Sequence, residues 1–176
     1  MVLLGLAVGK GSTGLDDWFL RLRHSPAHWL LFFTDPWVLG PLLTATAIVA
    51  LYQRRWRLAV VAATFPPAAY VLVQLIKRLF GREKGGVLAY PSGHTTVMVV
   101  VLGMVVLVAG AALWVKIVAV AACLLGMVGQ GVTYHYFTDT VGALLLGTAI
   151  VCVAAEIARL DRCQPRVRSI SQRELA

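Results

Sequence analysis

Four stretches of this chain are almost free of charge, and each is long enough to matter to a bilayer. Residues 36–53 and 58–76 contain no Asp, Glu, Lys or Arg, and residues 95–134 contain one, Lys116. Residues 140–155 are again uncharged, before Glu156, Arg159 and Arg162 close the run. A helix rising about 1.5 Å per residue needs about 20 mostly apolar residues to cross the hydrocarbon core. The third stretch is long enough for two crossings, with Ala109-Gly110-Ala111 ahead of Lys116 as the natural turn. The pattern predicts an all-α, polytopic membrane helix bundle of about five spanning helices. Composition agrees: 59% of the 176 residues are hydrophobic and only 14% are charged. A soluble domain carries about 25% charged residues.

The amino-terminal region reads differently. Residues 1–9 are apolar but too short to cross, and lack the charged start and cleavage pattern of a signal peptide. They read as part of an additional helix. Leu15, Trp18, Phe19 and Leu22 then recur at helical spacing opposite Asp16, Asp17, Arg21 and Arg23, with Thr13 and Asp16 as a capping pair. Residues 13–23 are therefore expected to form a short helix lying in the interface. His24 and His28 read as interfacial residues. Cys123 and Cys152 fall in apolar runs and read as small packing residues; Cys163 lies in the basic tail, and three cysteines make no disulfide framework.

The formal charge is +8, a surplus that in a soluble protein would suggest nucleic acid. In a membrane chain it belongs to the flanking loops, and no nucleic-acid partner is expected. Alternation of the spans puts Arg54, Arg55, Arg57, Lys116, Arg159, Arg162, Arg166, Arg168 and Arg173 on one face. Lys10, Arg21, Arg23, Lys77, Arg78, Arg82 and Lys84 fall on the other. If the cations from 77 to 84 are reserved for function, the positive-inside rule places the carboxyl tail in the cytoplasm. Residues 1–160 are read as one membrane-embedded domain, and 161–176 as a disordered basic tail.

Polar residue types gather at the opposite face. Lys77 ends the second span, His94 opens the third, and the hairpin of the third and fourth spans returns His135 to the surface that carries His94. Lys77, Arg82, Lys84, Ser92, His94, His135 and Asp139 can therefore meet at one membrane surface, where polar side chains are costly and point to function. His135 and Asp139 are four apart, so they share a helix face, and a carboxylate there fixes the imidazole tautomer. Pro91-Ser92-Gly93-His94 supplies a cap and a close-approaching backbone at a helix amino end, a setting that suits phosphate.

At these residues the sequence resembles the type 2 phosphatidic acid phosphatase superfamily of membrane lipid phosphatases. Pro91-Ser92-Gly93-His94 matches that family's second motif, His135 and Asp139 the end of its third, and Lys77 the opening of its first. There are departures. Lys84-Gly85 stands where the family has Arg-Pro, and Val128-Gly129, followed by Gln130, where it has Ser-Arg. The resemblance implies metal-free, cofactor-free hydrolysis of a lipid phosphate. His135, oriented by Asp139, would be the nucleophile and His94 the acid and base. Lys77, Lys84, Ser92 and Gly93 would hold the phosphoryl oxygens; Arg82 or Gln130 could stand in for the missing arginine. Substrates would be polyprenyl-linked or glycerolipid (di)phosphates, and the site would face the non-cytoplasmic side of a bacterial plasma membrane. The chain also resembles short actinobacterial members that act in cell-wall precursor synthesis. Two alternatives remain open at this point: an impaired member that binds lipid or a partner without turnover, and a metal hydrolase built on His94, His135 and Asp139.

Overall fold

The computed structural model describes residues 1–23 and 25–159. His24 and residues 160–176, which include Cys163 and the expected tail, lie outside the described residues. Two short helices come first, α1 (Val2–Val8) and α2 (Gly14–Arg21), then a 3₁₀ segment (Pro26–Thr34). Five long helices follow: α3 (Pro36–Tyr52), α4 (Trp56–Phe80), α5 (Gly93–Ala109), α6 (Leu113–Thr133) and α7 (Phe137–Arg159). A two-stranded hairpin, β1 (Glu83–Lys84) and β2 (Val87–Leu88), joins α4 to α5 and was not anticipated in an all-α reading. Its tip turns through Gly85 and Gly86, both at positive φ, where a side chain would be strained.

Local chemistry sets most boundaries. Thr13 and Asp16 form the expected capping box at the start of α2. The Asp35 carboxylate accepts the Trp37 amide at 2.8 Å, with Pro36 at the first position of α3. Gly81, in the left-handed region, ends α4. The break between α5 and α6 falls at Gly110, as the sequence suggested.

The fold is a helical membrane bundle. Four stretches are long and apolar enough to cross a membrane: Pro26–Tyr52, Trp56–Phe80, Leu113–Thr133 and Phe137–Ala158. The expected first span thus begins earlier than residue 36, because the 3₁₀ segment runs into α3. The helix α5 is equally apolar but has 17 residues. It occupies the centre, packed against α3, α4, α6 and α7. Its two neighbours in sequence run antiparallel to it, which defines two ends of the bundle. At one end the Arg55 guanidinium donates to the carbonyls of Leu107 and Val108, tying the α3–α4 loop to the end of α5. At the other, α2, the hairpin and the starts of α5 and α7 come together. Exposed Trp56 and Trp114 mark the first end, and exposed Trp18, Trp29 and Trp37 the second, as interfacial aromatics do.

Small residues let α5 and α7 approach closely. A Cβ on Gly103 would strike Val151, and one on Gly147 would come within 2.7 Å of Val99. Gly147→Val should therefore destabilise the bundle by about 1–3 kcal/mol through overpacking. Gly40→Ala, at a position with open space around it, should change the melting temperature little. Thermal unfolding of both variants in one detergent checks the contrast.

Candidate functional site

The second end of the bundle encloses a cavity of about 580 Å³. Lys77, Lys84, Gly93, His94 and His135 line it, together with Tyr70, Gln74, Tyr134 and the chain from Val87 to Ala89. The two lysines and the two histidines arrive from four different segments. Lys77 comes from the last turn of α4, Lys84 from β1, Gly93 and His94 from the first turn of α5, and His135 from the link between α6 and α7. The structure thus brings both histidines and both expected lysines to one enclosure.

Each lysine is held by a backbone carbonyl. Lys77 Nζ donates to Leu88 O at 2.9 Å, and Lys84 Nζ to His135 O at 2.7 Å. An ammonium has three donors, so each keeps capacity for a further acceptor. Lys84 also lies 5.0 Å from the centre of the Tyr136 ring. Burial pushes its ammonium below the ordinary value, an effect that the nearby Asp139 carboxylate partly offsets.

His135 Nδ1 lies 3.7 Å from Asp139 Oδ2, short of the hydrogen bond expected from their spacing. Among the described residues this nitrogen is buried without a hydrogen-bond partner. The Asp139 carboxylate has other partners: Oδ2 accepts the Tyr136 amide at 3.0 Å, and Oδ1 accepts Arg82 at 2.7 Å.

Three of the expected residues lie outside the cavity lining. Arg82 does not line the cavity: it is 1% exposed, and its guanidinium is fully engaged. Nε and Nη2 donate to Gly11 O, Nη2 also to Asp16 Oδ2 at 2.8 Å, and Nη1 to Thr138 Oγ1 and Asp139 Oδ1, both at 2.7 Å. All five N–H donors are thereby used. Ser92 is buried as well. Its hydroxyl caps α5 by accepting the Thr95 amide, and its own amide donates to Asp139 O at 3.2 Å. Gln130 is buried against the 3₁₀ segment, where Nε2 donates to Thr34 Oγ1 at 2.7 Å. Neither Arg82 nor Gln130 supplies the cavity with a third cation or a substitute for one.

The geometry also shows why position 129 carries glycine. A Cβ there would lie 2.7 Å from both the Leu30 carbonyl carbon and the Leu31 nitrogen. The 3₁₀ segment lies flush on α6 along Gly126 and Gly129, so a longer side chain would start into its backbone.

Two participants were missed. Asp16, seen in the sequence only as a cap, is fully buried and reaches across to the start of α7. There Oδ1 accepts both the amide and the hydroxyl of Thr138 at 2.9 Å. The Thr13–Asp16 pair was legible, but a partner 122 residues away leaves no local signal. Tyr90, before Pro91, donates its hydroxyl to Met1 O at 2.7 Å, and burial raises its phenol to about 12. His28 is exposed, as expected of an interfacial residue. Among the described residues no group of three or more His, Cys, Asp or Glu side chains is arranged to hold a metal ion. Comparison of the chain with family models, with curated proteins and with solved structures gives no match.

Two outcomes follow from this geometry. Gly129→Arg should not restore a cavity cation; it should push the 3₁₀ segment off α6 and lower thermal stability by about 1–3 kcal/mol or more, read by melting in detergent. Burial alone would raise the Asp16 carboxyl, but hydrogen bonds from Thr138 and Thr13 outweigh it and hold the group below its ordinary value of 3.8. A depressed folded-state value means that its stabilising contribution is present above pH 3.8 and is lost as pH falls through the lower folded value. Amide exchange in α2, corrected for intrinsic rates, should accelerate only below that pH.

Proposed function

We propose that the chain is an integral membrane lipid phosphatase that works through a phosphohistidine on His135. The observation that carries this reading is the meeting of His94, His135, Lys77 and Lys84 around one cavity. Phosphoryl transfer asks mainly for positioning and for positive charge around the oxygens, and this set supplies both. The lipid part of the reading rests on a second enclosure of about 590 Å³ between α3, α4 and α5. It is lined almost wholly by apolar residues, among them Leu39, Leu43, Pro66, Val71 and Val101. Tyr70, Gly93 and His94 border both spaces. A phosphate in the cavity and a hydrocarbon tail in the groove would therefore meet at His94.

In the proposed reaction an imidazole nitrogen of His135 attacks phosphorus, and the bond to the lipid oxygen breaks. His94 gives that oxygen its proton. Water then attacks the phosphohistidine, His94 takes the water's proton, and inorganic phosphate leaves with His135 restored. Lys77 and Lys84, with the Gly93 end of α5, hold the phosphoryl oxygens. Asp139 Oδ2, 3.7 Å from His135 Nδ1 in the free protein, would close on the imidazole and orient it once substrate is bound. With the cations from 77 to 84 reserved for function, the remaining basic residues of the sequence fall mainly at the far end, so the cavity is assigned to the non-cytoplasmic side. The family resemblance and the choice between polyprenyl and glycerolipid phosphates belong to the same proposal.

A second reading has one observation in its favour. With Arg82 turned away and position 129 closed to a long side chain, the cavity has two lysines where the related motifs would supply more charge. A member of this kind would bind lipid phosphates without hydrolysing them.

A phosphate-release screen of polyprenyl and glycerolipid phosphates on purified protein separates the two. Hydrolysis of at least one lipid, unchanged in excess chelator, is expected. His135→Ala should lower kcat by about 10³-fold or more. His94→Ala should slow substrates with poor leaving groups most. Binding without turnover across the whole panel would instead establish the second reading.

A further inference from the structure

Asp139 is held from behind by a buried cluster that begins on the amphipathic helix α2. Arg82 sits between two carboxylates: Nη2 on Asp16 Oδ2 at 2.8 Å and Nη1 on Asp139 Oδ1 at 2.7 Å. Thr138 bridges the same groups, accepting from Arg82 and donating to Asp16. The stacked rings of Phe19 and Phe137, 3.8 Å apart, clamp α2 to the start of α7 beside it. Leu15, Trp18 and Leu22 remain exposed on α2, while Asp16 is fully buried.

The pairing geometry gives this cluster a consequence for the cavity. A guanidinium facing a carboxylate favours a two-pronged contact with both oxygens. Here Arg82 touches only Oδ1 of Asp139, because its second prong is taken by Asp16 and Gly11. Oδ2 is thereby left to the Tyr136 amide and to the side facing His135 Nδ1. Without Asp16, Arg82 could turn its freed N–H onto Oδ2 and draw that oxygen away from the imidazole.

We infer that Asp16 is a positioning residue: by holding Arg82 to a single-pronged contact, it keeps one Asp139 oxygen available to His135. The role assigned to His135 rests on the phosphatase reading; the geometry of the cluster does not. Seating of α2 at the membrane surface is thus mechanically continuous with the orientation of the reacting imidazole. A merely structural role predicts that any loosening of α2 has the same effect, which gives the test its control.

The test compares the full chain with Asp16→Asn and Leu15→Gly, using two readouts. One is hydrolysis of the lipid phosphate identified by the screen. The other is the rate at which diethyl pyrocarbonate modifies His135, followed by peptide mass spectrometry. An asparagine keeps one acceptor oxygen but loses the second oxygen and the negative charge, so it cannot hold Thr138 and Arg82 together as the carboxylate does. Asp16→Asn should lower kcat on the order of tenfold, as loss of an outer-shell partner usually does, with KM changed less than about twofold. Modification of His135 should slow in parallel. Leu15→Gly weakens α2 at an exposed position and leaves the hydrogen bonds of Asp16 to Thr13, Arg82 and Thr138 in place, so both readouts should match wild type. Equal rates in Asp16→Asn and wild type, or equal losses in both variants, would overturn the inference. If Asp16→Asn does not fold, Asp16→Ser, which also removes the charge opposite Arg82 Nη2, carries the test, with the same losses expected and unchanged rates again overturning it. If wild type hydrolyses no lipid phosphate, the phosphatase reading fails alone, and the modification rates still decide whether Asp16 acts on His135.

Discussion

The cation end of this bundle depends on one buried ion cluster, Asp16–Arg82–Asp139. Taking three charges out of water is costly, and the cost is offset only when every donor and acceptor finds a partner. Arg82 meets that condition, with all of its N–H groups on Gly11, Asp16, Thr138 and Asp139. The planar fork of arginine is what allows one side chain to serve a loop carbonyl, two carboxylates and a hydroxyl at once; a lysine could not. The cluster joins the amino-terminal helix, the segment after α4 and the start of α7. It therefore fixes the cavity wall in which His135 sits.

The central helix α5 extends that order through the bilayer region. Its glycine and valine contacts with α7 hold the two backbones close, and its first turn delivers Gly93 and His94 to the cavity. On its other side, α3 and α4 leave an apolar groove that reaches the same residues. The cavity and the groove share Tyr70, Gly93 and His94, and under the proposed function a charged head and a hydrocarbon tail would each find a matching medium there.

The smooth face of α6 has a different consequence. Gly126 and Gly129 admit the 3₁₀ segment against the helix, and Gln130 is drawn into a hydrogen bond with Thr34. What reads in the motif as a missing arginine is, in the fold, a packing surface. The cavity charge is correspondingly carried by Lys77 and Lys84.

The sequence by itself determined that this is a helical membrane protein, because uncharged runs of that length can satisfy their backbone groups in lipid only as helices. It also determined the break at Gly110, the capping box of α2, and the return of His135 to the level of His94, since these depend on local spacing and span length. The assignment of individual polar residues was decided only by tertiary structure. Arg82 and Lys84 are two residues apart and equally basic in the sequence, yet one is buried in an ion cluster and the other lines the cavity. The difference lies in Asp16 and Thr138, which are 122 positions apart and become neighbours only when α2 docks on α7. Likewise, nothing near residue 129 announces that the backbone of Leu30 and Leu31 will lie against it. Helix formation and capping follow from neighbours in the chain, whereas the partner of a buried charge is chosen by packing.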